Sequence, residues 1–258
     1  MIPNFFISEP YLKLTLAECY EDAYWIWIEE REMDLALFPP LPISIDRLDM
    51  HSIIEHKNIK VWSDFENLNI NNMTWIELSS KVFKFLDYEY IYNPIHFNDL
   101  SGGKWEVYRK NIRKWLKSNV KWSYRKLFRD KEMFLLLSDW IERKRTIIED
   151  AEIIIAYCSY GNKIEGIHRK FLYDGTGRLV AINIWDENWH YINYRYVLTV
   201  ADQPHVDEFA RYCFYTDREI QAKGKLVNDG GTLGNEGLER FKDKLNPVKK
   251  RKMYSYEP

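Results

Sequence analysis

The chain has 258 residues and a formal net charge of −2, with 37 Lys and Arg against 39 Asp and Glu. That length can bury a core without staples, and the near balance excludes a globally cationic or anionic molecule, so a charged partner must be met by a local cluster. Three widely spaced cysteines (Cys19, Cys158, Cys213), no CxxC and no HxH or HxxxH pair among six histidines exclude a disulfide framework and a zinc site.

No stretch approaches the ~20 apolar residues of a membrane span, and Met1 to Pro10 has no basic region followed by an apolar run; the expectation is a soluble, cytoplasmic protein. Aromatic residues make up 16% of the chain, which points to thick cores built on sheets more than to helical bundles.

In chain order, Ala23–Glu30 and Met33–Phe38 are two β-rich runs across a charged turn, a hairpin signature closed by Pro39, Pro40 and Pro42. Ser44–Lys57 and Trp75–Leu86 have helical spacing of apolar residues, and Tyr88–Tyr92 alternates as a strand. After the turn Asn98–Lys104, a basic amphipathic helix covers Trp105–Lys117, with Tyr108, Ile112, Trp115 and Leu116 on one face. Lys121–Phe128 follows as a strand and Lys131–Arg145 as a helix.

Ile153–Cys158 is a small apolar strand or a helix, and Ile167–Tyr173, Leu179–Trp185 and Tyr191–Val200 form a three-stranded meander around the turn Asp174–Gly177. Val206–Lys223 is helical. Val227 closes a last strand before a glycine-rich turn and a basic helix, and Lys252–Tyr256 is a final edge strand. The expected class is α/β (α+β), with mixed, mostly antiparallel sheet flanked by helices.

Two local patterns carry candidate chemistry. In the tail, Asn228, Asp229, Gly230, Gly231 and Gly234 form a turn in which glycine permits φ > 0 and close approach of a ligand, ahead of a helix N-terminus with free N–H groups; Asp229 is the preferred carboxylate, with Asp186, Glu187 and Glu236 as alternatives. In the basic helix, Lys104, Arg109, Lys110, Arg113, Lys114 and Lys117 face one Glu106, and Arg109, Arg113 and Lys117 make an i, i+4 stripe. With Trp105, Tyr108, Trp115 and Trp122 interleaved, this stripe suits the backbone and bases of a nucleic acid. Both patterns also suit a plain connecting loop and a solvated helix face.

Two segments resemble the tandem GNAT acyltransferases, specifically the C-terminal domain of lysyl-phosphatidylglycerol synthase and, more distantly, the Fem-type aminoacyltransferases. Tyr88–Tyr92, Asp99-Leu-Ser-Gly-Gly-Lys104 and Tyr108–Trp115 are similar to the family's strand, turn and linking basic helix. Leu233-Gly, Gly237-Leu-Glu-Arg-Phe-Lys242-Asp-Lys-Leu-Asn-Pro247 and the downstream Tyr254 and Tyr256 are similar to its tail. The resemblance implies two GNAT-like repeats, residues 1–119 and 120–258, the second carrying the active cleft.

It further implies transfer of an aminoacyl or other acyl group from an activated donor to an amine or hydroxyl, without a metal or a tightly bound cofactor. Lys242 matches a tail lysine of the family's site, where it could stabilise an oxyanion or grip an aminoacyl-tRNA. Asn193 and Arg195, two apart on one strand, stand where the resembled synthases carry an Asp and an Arg. The second repeat has no Arg/Gln-x-x-Gly-x-Gly loop for the diphosphate of an acyl-CoA, so aminoacyl-tRNA is favoured over acyl-CoA as donor. The family's membrane flippase part is absent, and no lipid acceptor is implied. N-acylation of nucleic-acid bases or nucleotides, and a non-catalytic binding module, are the alternatives.

Overall fold

The computed structural model of the chain describes residues 83–145, 151–160 and 164–256, together with residue 10 and the short strands at 18–19, 26–27, 60–62, 69–70 and 73–74. The expected hairpin at 23–38 and the helix at 44–57 lie largely or wholly outside these residues. Two small ribbons pair β1 (Glu18–Cys19) with β2 (Ile26–Trp27) and β4 (Asn69–Ile70) with β5 (Met73–Thr74).

The organising element is an eight-stranded sheet made of β3 (Lys60–Trp62), β6 (Phe83–Tyr92), β7 (Ser123–Arg125), β8 (His168–Tyr173), β9 (Leu179–Glu187), β10 (Tyr191–Thr199), β11 (Leu226–Asn228) and β12 (Lys249–Tyr256). Their spatial order is β3-β12-β6-β11-β10-β9-β8-β7. Every pairing is antiparallel except β10 with β11. β6, from the first 119 residues, lies between β11 and β12 of the later part of the chain, so both parts share one sheet.

Six described helices cover the sheet: α1 (Glu106–Ser118), α2 (Asp130–Lys144), α3 (Ala151–Tyr160), α4 (Val206–Tyr215), α5 (Arg218–Ala222) and α6 (Glu236–Lys244). Strand alternation assigns them to faces. Tyr194 stacks on Phe214 of α4, with ring centroids 4.0 Å apart. Its neighbours Asn193 and Arg195 turn to the opposite face, where Tyr157 of α3 reaches the same Asp186 that they bond. Outside α4 lies α1, whose apolar stripe Tyr108, Ile112 and Trp115 is buried. Trp115 stacks on Phe209 at 4.1 Å and the Tyr108 hydroxyl donates to the Glu208 carbonyl at 2.9 Å.

Several boundaries differ from the sequence expectations. Residues 83–86, read as the end of a helix, belong to β6, because pairing with β12 along its full length overrides their helical spacing. The helix expected over 206–223 breaks into α4 and α5 at Asp217, whose carboxylate caps α5 by accepting from the Glu219 amide. Ile153–Cys158 is helical, within α3. β12 begins at Lys249 and is not an edge strand: it pairs with β6 on one side and β3 on the other.

Candidate functional site

The one parallel pair among the described strands is short. Tyr191, Ile192 and Asn193 register with Leu226, Val227 and Asn228. Beyond that the two strands part. The chain after β11 stays with β6, the Asp229 amide donating to the Tyr90 carbonyl at 2.9 Å and the Tyr90 amide to the Gly230 carbonyl at 3.1 Å. β10 instead follows β9 through an irregularity between Tyr194 and Tyr196.

Side chains from four elements converge at the point of divergence. Arg211 of α4 donates to Asp229, and its guanidinium lies 5.2 Å from the Tyr194 ring centre and 5.3 Å from that of Phe241 on α6. The Tyr215 hydroxyl, one turn further along α4, donates to the same Asp229 oxygen at 3.4 Å. Burial alone would lower the Arg211 pKa, but Asp229 and Asp207 more than offset it and hold the value well above the ordinary one. Burial, reinforced by the Asp229 charge, pushes the Tyr215 hydroxyl well up.

Lys242 enters the cluster from α6 and is 3% exposed. Its ammonium donates to three successive turn carbonyls, those of Asp229, Gly230 (3.2 Å) and Gly231 (2.7 Å), and lies 3.6 Å from Asp229 Oδ1. An ammonium has three protons, so the turn uses all of them. Burial lowers the Lys242 pKa, with Asp229 acting against that shift. Lys242 therefore holds the turn in shape and leaves no proton for direct contact with an oxyanion or a nucleotide.

A second carboxylate grips the turn from β6. Asp87 accepts from the Thr232 amide, from Thr232 Oγ1 at 2.9 Å and from the Leu233 amide at 2.8 Å. Gly231 is required by close approach, since a Cβ there would stand 2.6 Å from Asp87 Oδ2. Gly230, at φ 63°, supplies the left-handed residue. Asn228 closes the turn by accepting from the Gly230 amide at 2.9 Å while donating to Glu89 at 3.1 Å. Gly234 is exposed beyond the turn, at φ 71°.

The structure thus brings together Lys242, Asp229, Asn228, Gly230 and Gly231. Asn193 and Arg195 are elsewhere. On the opposite face of the sheet, Arg195 Nε donates to Asp186 at 2.6 Å and Asn193 Nδ2 to the same carboxylate at 2.9 Å. Asp186 also accepts from Tyr157 at 2.5 Å and is fully buried. Asn193 and Arg195 thus belong to a buried polar cluster centred on Asp186.

The basic helix is also redistributed. Trp105, expected to offer a stacking surface, is 2% exposed and packs on Phe97 at 5.2 Å. Arg109 ties down the preceding loop by donating to the carbonyls of Leu100 and, at 2.8 Å, Gly102. Both are turned towards the protein, Trp105 just ahead of α1 and Arg109 in its first turn. Lys104 and Arg113 remain exposed.

Sequence reasoning missed Arg211, Tyr215, Asp87 and Asp207. The signal for Arg211 was there, a single cation among Phe209, Ala210, Cys213 and Phe214. Asp207 lies one turn before it, with Oδ2 3.7 Å from Arg211 Nε and a side chain 37% exposed. Its pKa is raised by burial, against the Arg211 charge. Among the described residues no cluster of His, Cys, Asp and Glu could hold a metal, and no helix is long and apolar enough to cross a membrane.

No protein-family model and no curated protein matches the chain. Solved structures do. A conserved protein of unknown function from Bacteroides thetaiotaomicron is 15% identical with a TM-score of 0.70, covering 98% of this chain and 92% of its own. The C-terminal domain (DUF2156) of a putative lysylphosphatidylglycerol synthetase from Agrobacterium fabrum is 11% identical with a TM-score of 0.58, covering 94% and 84%. FemX is 11% identical with a TM-score of 0.53, covering 94% and 83%. The fold is GNAT-like, as the tail and linking-helix motifs imply.

Proposed function

We propose that the chain is a GNAT-type transferase that moves an aminoacyl or other acyl group onto an amine or hydroxyl acceptor where β10 and β11 part. The observation that carries this reading is the convergence of Arg211, Asp229, Lys242 and Asp207 at that point, on a turn fixed from both sides. Preorganised charge beside the reacting carbonyl is the largest single contribution available to acyl transfer. Two buried cations there favour the oxyanion through their field, while Asp229 anchors them.

Asp207 is the carboxylate suited to take the proton. It is the partly exposed member of the cluster, and desolvation of its inward side raises its pKa against the opposing Arg211 charge. The acceptor nitrogen attacks the donor carbonyl, a C–N bond forms, and Asp207 receives the amine proton. As the C–O bond to the donor breaks, that proton passes to the departing hydroxyl.

Aminoacyl-tRNA is favoured over acyl-CoA as donor. α4 follows β10 and opens with Asp207 and Glu208 in its first turn, and two carboxylates there oppose a diphosphate at the helix N-terminus. The test is transfer of a radiolabelled aminoacyl group from charged tRNA to an added amine, run beside acetyl-CoA. Transfer from charged tRNA that depends on Asp207 is expected. Turnover of acetyl-CoA alone would overturn the donor, and no turnover of either would overturn the enzyme.

A further inference from the structure

At the start of β11, away from the turn that Lys242 clamps, another carboxylate gathers cations. Glu187, the last residue of β9, accepts from Lys225 Nζ at 3.2 Å and pairs with the Lys223 ammonium. Lys225 also donates to the Asn188 carbonyl at 2.8 Å. Lys223 caps the C-terminus of α5, and Gly224, at φ 61°, turns the chain into β11. Both lysines of that connection are thus fastened to the β9–β10 hairpin. β11 itself is Leu226–Asn228, about 10 Å long at ~3.3 Å per residue. With so few ladder bonds to hold it, its position depends on what fastens its ends: the lysines on Glu187 at one, Asp229 and the site at the other.

The remaining member of the cluster is His168, which registers with Trp185 across β8 and β9 and stacks on its ring, centroids 5.4 Å apart. Its Nε2 lies 3.6 Å from Glu187 Oε1, the oxygen that Lys223 uses. The other charges facing the imidazole are Glu219 on α5 and Lys126 after β7, which pair with each other. Lys170, two residues on along β8, is taken by Asp217 and Glu219. Burial holds the His168 pKa below its ordinary 6.5, with Lys223 and Lys126 adding to the shift and Glu187 and Glu219 acting against it. Burial alone would raise the Glu187 pKa, yet Lys223 and Lys225 hold it below the ordinary value, so Glu187 stays ionised while His168 titrates. Neutral His168 leaves Glu187 to the two lysines. Protonated, it is a third cation on one carboxylate, competing with Lys223 for Oε1 and repelling both ammoniums.

We propose that Glu187 is a positioning residue for the site, fixing the start of β11 through Lys223 and Lys225, and that protonation of His168 loosens this hold. The inference rests on the proposed transferase only in giving the turn after β11 a catalytic use; the latch is a property of the fold. The folded state binds the His168 proton more weakly than the unfolded chain. The His168 contribution to stability is therefore full at alkaline pH and declines as pH falls through 6.5 towards the lowered folded value.

The experiment is amide hydrogen exchange of the whole chain from about pH 8 to about pH 5.5, corrected for the intrinsic pH dependence of exchange. It is followed at residues 226–228, with α1 as internal control. The protein is compared with His168→Gln and Glu187→Gln, whose folds are checked by circular dichroism and thermal midpoint. The parent should lose protection at 226–228 severalfold in acid while α1 is unchanged. His168→Gln, neutral throughout, should keep its alkaline protection across the range. Glu187→Gln should be less protected at every pH, and His168→Gln carries the test by itself should Glu187→Gln fail to fold.

Protection at 226–228 that stays constant with pH in the parent, or that changes equally in His168→Gln, would overturn the switch. Unaltered alkaline protection in Glu187→Gln would overturn the positioning role. The readout needs no donor, so the transferase reading fails separately. Loss of protection in acid without any acyl transfer leaves the latch standing, whereas transfer with constant protection removes the latch and keeps the enzyme.

Discussion

Arg211 and Asp229 form an ion pair at the divergence of the two parallel strands, with side chains 6% and 4% exposed. The pair joins α4 to the turn after β11, and the turn is the one that Lys242 clamps from α6. Two helices and the turn between them thereby meet on one carboxylate.

Removing Arg211 leaves Asp229 buried with only the Lys242 ammonium and the neutral Tyr215 hydroxyl beside it among the described residues. Arg211→Met is expected to cost about 3–5 kcal/mol, the range for breaking a buried ion pair from one side, whereas Arg211→Met/Asp229→Leu is expected to recover much of the loss. Urea denaturation of the two single variants and the double variant gives the coupling energy. Additive losses would show that the pair is not a unit.

Lys242→Met exchanges an ammonium that satisfies three carbonyls for an apolar group of similar length. The Gly230 carbonyl keeps the Tyr90 amide, so the Asp229 and Gly231 carbonyls lose their described partner. A loss of about 3 kcal/mol is expected. Activity should fall more than stability alone explains, since the turn would no longer be fixed. A variant as stable and as active as the parent would remove the clamp from the account.

Gly231→Ala forces a methyl group against the carboxylate of Asp87. An overpacking cost of about 1–3 kcal/mol is expected. Gly103→Ala serves as control, because its added Cβ meets nothing within 4 Å. Its thermal midpoint should be unchanged or slightly raised. Equal midpoints for the two variants would contradict the close approach.

Asp207 sets the pH dependence. A base must be deprotonated to act, so the rate should fall as pH drops through its pKa, at a pH above the ordinary value of 3.8 because burial raises it. Asp207→Asn should lower kcat about 10²–10⁴-fold and abolish that acidic limb. Stability responds with the opposite sign: the folded state binds this proton more tightly than the unfolded chain, so the Asp207 contribution declines as pH rises from 3.8 through the raised pKa. An unchanged acidic limb in Asp207→Asn would assign it to another group.

The sequence by itself determined the meander β8 to β10, the amphipathic α1 and the glycine-rich turn before α6, because each is written in a local period or in residues that only a turn accommodates. It also marked Lys242, Asp229, Asn228, Gly230 and Gly231 as neighbours along the tail, and α6 folds back over the turn to make them neighbours in space. What only the tertiary structure decided were relations across the sheet. Arg211 and Asp87 reach the turn from α4 and β6, and no local pattern encodes a partner 18 or 145 residues away. Asn193 and Arg195 share the strand expected to serve the site, yet they face away from it with Asp186, because successive side chains on a strand point to opposite faces and only the packing of α3 and α4 fixes which face meets which helix.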